Sequence, residues 1–220
     1  MTTITLQHAA PAPARTRTLL ALVAAASPLW AAVSLAQAFT RDGYDLTRHP
    51  LSVLSTGSLG WLQIANFLVC GLLTAAGAIG LRRALHGAPG GTWAPRLVAA
   101  YGLGMVAAGV FVMDPADGFP VGTPAGAPTT MSWHALLHLA SGSIAFIALA
   151  AACFVLARRF ARAGDRTRAV LSRFAGTAVA LGNLWAMSGS PAASLALAVG
   201  VITGMLWISA VAARLRATAL

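Results

Sequence analysis

The sequence predicts an all-α polytopic integral membrane protein: a bundle of six transmembrane helices with N and C termini cytoplasmic. Three observations carry this expectation. Hydrophobic residues make up 58% of the 220 and charged residues only 9%, where a soluble domain averages roughly a quarter charged. Six apolar stretches, at 18–39, 61–81, 97–113, 133–157, 169–187 and 191–213, reach or approach the about 20 residues that a hydrocarbon core demands. All fifteen basic residues are arginines, and they alternate between gaps. Thirteen lie in the two tails, the second gap and the fourth gap running into the fifth stretch; only Arg41 and Arg48 lie elsewhere. Arginine collects on the cytoplasmic side of a membrane, which orients the chain in the cell membrane.

Residues 1–16 are polar and rich in Ala and Pro, and read as a disordered cytoplasmic tail. Residues 17–216 then form one six-helix domain, and 217–220 end the cytoplasmic tail. The first stretch invites comparison with a signal peptide, because Ala36-Gln37-Ala38 fits a small-x-small cleavage site. Its apolar run exceeds the roughly 7–15 residues of a signal core, so a retained helix is expected. Pro28 lies mid-span, where a missing N–H kinks a helix or frees a carbonyl. The second stretch opens on Trp61 and closes on Arg82-Arg83, and the fourth opens on Trp133 and closes on Arg158-Arg159. Indoles favour the interface. The third stretch is short, and the fifth carries Arg173 near its start, within snorkelling reach of the inner face. Ser188-Gly189-Ser190-Pro191 is a tight outer turn.

Gln63, Asn66, Cys70, Thr74 and Gly77 form a polar, small stripe along the second helix, as expected of a face packed on other helices. Cys70 and Cys153 lie inside apolar stretches, and neither a disulfide framework nor a zinc ribbon fits them. The net charge of +10 flanks the spans instead of forming a patch with interleaved aromatics, so nucleic acid is not an expected partner. Membrane lipids are, since the basic face meets anionic headgroups.

Four of the five aspartates (Asp42, Asp45, Asp114, Asp117) and three of the five histidines (His49, His134, His138) belong to the outer half. Such groups near a membrane are costly and usually face the bundle or a wet cavity. His134 and His138 stand four residues apart with Ser141 one turn on, so the three share a helix face. That spacing suits two ligands of one divalent metal such as zinc, with His49 or Asp114 completing the shell; it equally suits hydrogen bonding between helices. Asp114 ends the third stretch, and the Gly/Pro-rich segment to residue 132 returns the chain to His134. This segment reads as a stiff lid. His49 and Ser52 precede the second span, within reach of the same place, and Asn183 is a further candidate for the cluster. Asp117, before Gly118, reads as a general acid or as a turn residue.

His49-Pro50-Leu51-Ser52, Gly60-Trp61, Asn66-Phe67, Asp114-Pro115-Ala116-Asp117-Gly118-Phe119-Pro120 and Ser132-Trp133-His134-xxx-His138 closely resemble one family. It is the bacterial and archaeal membrane family of domain of unknown function nine-nine-eight. The resemblance covers nearly the whole chain and implies about six spans, with no settled activity. A fainter similarity is to membrane hydrolases of the alkaline-ceramidase and adiponectin-receptor type, which set a Ser, an Asp and three His around zinc. Ser52, His49, Asp114, His134 and His138 are the same residue types. The pattern departs in having six spans instead of seven, the His-xxx-His pair in the fourth helix, and an outer location.

Two classes of function follow. One is a membrane enzyme with an outward-facing His/Asp site acting on a lipid-like or isoprenoid substrate. It would work either by metal-activated water or by Asp114 or Asp117 kept protonated through burial. The other is a non-enzymatic transport, resistance or assembly protein whose polar cluster ties helices together.

Overall fold

The computed structural model describes residues 14–126 and 128–218. Six helices account for most of them: α1 (Ala14–Thr40), α2 (Gly60–Ala84), α3 (Trp93–Val110), α4 (Trp133–Arg162), α5 (Arg166–Ala186) and α6 (Ala193–Thr218). A short 3-10 turn, Leu51–Ser55, precedes α2. Among the described residues there is no strand, only an isolated bridge between Ala116 and Phe119. The tail expected over 1–16 falls outside the described residues as far as residue 13, and α1 already begins at Ala14.

Five helices are long and apolar enough to cross a membrane. The exception is α5, whose apolar stretch holds Arg173 and Asn183. Each helix packs on its neighbours in the chain and α6 closes on α1, giving a ring. One end of the ring carries the inter-helix arginines; the other, the lid end, carries the two long connections and the turn between α5 and α6.

Small residues set how closely the helices approach. A Cβ on Gly77 would stand 2.8 Å from the Leu19 carbonyl, and one on Gly200 only 2.3 Å from that of Ala178. Several polar groups buried between α1 and α2 bond one another, as the low dielectric favours. Gln37 Nε2 donates to Gln63 Oε1 (2.9 Å), Gln63 Nε2 to Ser34 Oγ (3.0 Å), and Asn66 Nδ2 to Ser34 Oγ and the Trp30 carbonyl (both 3.1 Å). The stripe on α2 is therefore a packing face. Gln37, inside the signal-like tripeptide, is locked into it, so α1 is a working member of the bundle. α1 continues through Pro28, and the Ser209 hydroxyl of α6 bonds the Val23 carbonyl (2.8 Å) and Ser27 Oγ (2.7 Å) just before it.

Candidate functional site: a lidded cavity

The lid joins segments 41–59 and 111–132. Phe119 is its buried centre, edge-on to Tyr44 at 5.3 Å and under the Arg41 guanidinium at 4.7 Å. Arg41 also donates to the carbonyls of Leu54 and Thr56. Arg48 donates from Nε (3.1 Å) and Nη2 (2.7 Å) to the Asp117 carboxylate, which also accepts from Gly126 N (2.8 Å). Arg48 first, then the Gly126 amide, holds the Asp117 carboxyl below its ordinary range. The two arginines that break the charge alternation are thus lid fasteners.

His49 is buried in this layer with both ring nitrogens engaged. The Asp45 amide donates to Nδ1 (3.0 Å), so the proton resides on Nε2 and goes to the Asp117 carbonyl (2.9 Å). The ring lone pair at Nδ1 is thus occupied by the Asp45 amide, and His49, expected as a ligand, lies within the hydrogen bonding of the lid.

His134 and His138 share a helix face as the spacing requires, but that face meets the end of α3. A helix leaves its last carbonyls without partners. His138 Nδ1 sits 2.8 and 2.7 Å from the carbonyls of Ala108 and Phe111, and His134 Nδ1 lies 3.1 Å from that of Val112. A carbonyl only accepts, so each Nδ1 carries the proton and each Nε2 is left as an acceptor. Asp114 accepts from Ser132 N (2.7 Å) and Ser132 Oγ (2.6 Å), and Ser132 Oγ in turn caps α4 by accepting from Ala135 N. These bonds from Ser132 hold the Asp114 carboxyl low. Asp114 and Asp117, the expected general acids, are thus both surrounded by hydrogen-bond donors, which favour the carboxylate form. Among the described residues no three His, Cys or Asp side chains gather as a metal site. The set His49, Asp114, His134 and His138 is split between the lid core and the α3–α4 junction, and does not fit a zinc shell.

Beneath the lid the ring encloses a cavity of about 900 Å³, within the usual range of ligand sites. Every helix contributes to its wall. Of the residues singled out from sequence, it collects Ser52, Asp117, His138 and Asn183; His49, Asp114 and His134 lie outside the lining. The family described as "Protein of unknown function (DUF998)" matches residues 24–214. The chain belongs to this family. No curated protein and no solved structure matches it.

In this family member two residues of the wall also bury polar atoms that sequence reading did not single out. Trp30 and Tyr101 are 5% and 2% exposed, both line the cavity, and neither Trp30 Nε1 nor Tyr101 Oη has a hydrogen-bond partner among the described residues. A buried polar group left unpaired costs free energy. The signal was present: Trp and Tyr ordinarily gather at interfaces, and these two stand mid-helix.

Proposed function

We propose that the chain is a six-span protein of the cell membrane, both termini cytoplasmic, whose central cavity binds one lipid-like molecule of the outer leaflet. The observation that carries the reading is the cavity itself, large and mostly apolar. Leu139 and Met187 line it and are nevertheless 44% and 77% exposed, so the wall between α4 and α5 gives onto the surroundings. Near the arginine end these helices touch, where a Cβ on Gly176 would stand 3.2 Å from the Ala150 carbonyl; at Gly142, in the cavity wall, one would meet nothing within 4 Å. The gap therefore widens toward the lid. α5 completes the ring and turns Val170, Phe174, Leu181 and Leu184 outward, which supports counting it as the sixth span. The arginine alternation supports the orientation.

This reading belongs to the non-enzymatic class. Acid–base chemistry on the bound molecule is the second reading, favoured by the unengaged Nε2 of His138 on the wall.

A photoactivatable lipid in vesicles is expected to label segments 139–146 and 183–187, and Gly142→Trp to abolish that labelling. Labelling confined to outward faces such as Ile144 and Phe174, unchanged in Gly142→Trp, defeats the proposal. In intact cells an impermeant thiol reagent is expected to reach Ser190→Cys and not His86→Cys; the reverse pattern overturns the orientation.

A further inference from the structure

Away from the cavity, we infer a second lipid site: the groove between α1 and α2 at the arginine end holds one anionic phospholipid. Arg15 and Arg83 take its phosphodiester, and its acyl chain lies along Leu19 and Ile79. The inference needs the helices to cross a bilayer, but not the central cavity to be filled. Ala14, Arg15, Thr18 and Leu19 of α1 and Ile79 and Arg83 of α2 line this groove, whose volume is about 510 Å³. Both arginines are exposed and Ile79 is 51% exposed, so these groups are accessible from outside the bundle.

The groove is layered in the same way on both walls. On α1, Arg15 and Leu19 stand four residues apart on one face, the leucine one turn nearer the middle of the bundle. On α2, which runs the other way, Ile79 and Arg83 repeat the pattern with the arginine outermost. Contact ties the two helices to one level: a Cβ on Gly80 would stand 2.8 Å from Leu19 Cβ and 2.9 Å from Leu20 N. Leu72, two turns from Ile79 on the same face and 57% exposed, extends the apolar stripe inward. Each wall thus passes from cation to hydrocarbon within one turn, about 5.4 Å, as a phospholipid passes from phosphate to acyl chain.

Charge selects an anion. Thirteen arginines belong to this end, and Asp165 is the chain's one acidic side chain there. Arg168 already engages it. Arg15 and Arg83 therefore share a groove with no carboxylate among the described residues to separate them, and like charges brought together repel. A phosphodiester relieves the repulsion, because its two unesterified oxygens accept from guanidinium forks, the donors best shaped for phosphate. A zwitterionic headgroup brings its own ammonium to the same cations and forfeits the gain. A soluble phosphate uses the arginines alone, whereas the apolar stripe directly beneath them favours a phosphate that carries an acyl chain.

The test places a bimane fluorophore at Thr18→Cys of the full-length protein, the native Cys70 and Cys153 being buried. The protein is reconstituted in phosphatidylcholine, with dibrominated phosphatidylglycerol or dibrominated phosphatidylcholine as the quencher. With about a fivefold preference from each arginine, phosphatidylglycerol is expected to bind about twenty-five-fold more tightly than phosphatidylcholine. Arg15→Gln/Arg83→Gln is expected to abolish the preference. Arg158→Gln/Arg162→Gln removes the same charge from an exposed pair on α4 and is expected to leave most of it. Equal quenching by the two lipids, or an equal loss in the two double variants, overturns the site. Displacement of the brominated lipid by millimolar sn-glycerol 3-phosphate overturns it too, in favour of a soluble anion. The wild-type comparison of lipids holds whether or not the variants fold. Quenching by neither lipid defeats the membrane reading as well, and none of the other outcomes bears on the central cavity.

Discussion

Arg48 and Asp117 lie 69 residues apart in the chain and meet at 2.7 Å over the mouth of the cavity. They couple two connections that have no helix in common. The carbonyl of Arg48 accepts from Ser194 Oγ of α6 (2.9 Å), so the same residue also moors the lid to the last helix.

Breaking this pair is expected to loosen the lid while sparing the bundle. Asp117→Asn removes the anionic acceptor of both Arg48 and the Gly126 amide. Amide exchange at Gly126 should accelerate, with little change in the melting temperature of the helices, because the pair is partly exposed and exposed pairs contribute little to global stability. Unchanged exchange would show that the aromatic cluster around Phe119 holds the lid alone.

The acid response of the lid follows from the same carboxylate. Its folded pKa is depressed by Arg48 and the Gly126 amide, so its contribution is fully present above the unfolded value of about 3.9. It is lost only as pH falls through the lower folded value. Lid exchange, corrected for its intrinsic pH dependence, should stay flat from neutrality to about pH 5, rise below about pH 4, and be insensitive to acid in Asp117→Asn. Acid sensitivity that persists in Asp117→Asn would show that another group governs the lid.

His138→Ala is expected to cost roughly 1–3 kcal/mol, the penalty of leaving buried carbonyls at the end of α3 without a donor. His138→Phe, which keeps a ring, should be comparably harmful, separating the hydrogen bond from packing. His134→Ala should cost less, since His134 is only partly buried. Thermal melts in detergent give the ranking, and a larger loss at His134 would contradict it. Replacing both histidines by alanine should lower stability without altering the metal content of the purified protein; a loss of bound zinc would reinstate the metal site.

Ser132→Ala removes the cap of α4 and the hydroxyl partner of Asp114 in one step. A loss of about 1 kcal/mol is expected, as for other caps. An unchanged melt would show that the main-chain bond from Ser132 N to Asp114 suffices.

Gly77→Ala is expected to force α1 and α2 apart, because the new Cβ would stand 2.2 Å from Val23 Cγ2 and 2.8 Å from the Leu19 carbonyl. Overpacking of this kind costs about 1–3 kcal/mol. Gly142→Ala, which meets nothing within 4 Å, is the control, and equal effects at the two sites would refute the packing assignment.

Much of the scaffold was legible because hydropathy and turn chemistry are local properties. The helices, the bend-forming Ser188–Pro191 segment and an ordered lid all followed from runs of adjacent residues. The polar stripe on α2 was also legible, since Gln63, Asn66 and Cys70 recur at helical spacing. The chemistry was not. His134 and His138 stand at a spacing that serves a metal or a neighbour's carbonyls equally, and their partners lie 22 to 30 residues away. Asp114 and Asp117 were open to a protonated reading until Ser132, Gly126 and Arg48 were seen to surround them with donors. Tyr101 and Trp30 gave only their unusual depth, because no pattern in one chain reveals that six helices leave a space between them.

The bond from Ser209 to Val23 sets α1 and α6 antiparallel at one level. Nine residues beyond that contact in each helix lie Ala14 and Thr218, the first and last residues of the described ring. The two ends are therefore neighbours, and the order in which the helices are translated is one of several that close the same circle. A permuted gene, with 218 linked to 14 and new ends opened at the tight turn 163–165, would leave every contact of the lid and cavity intact.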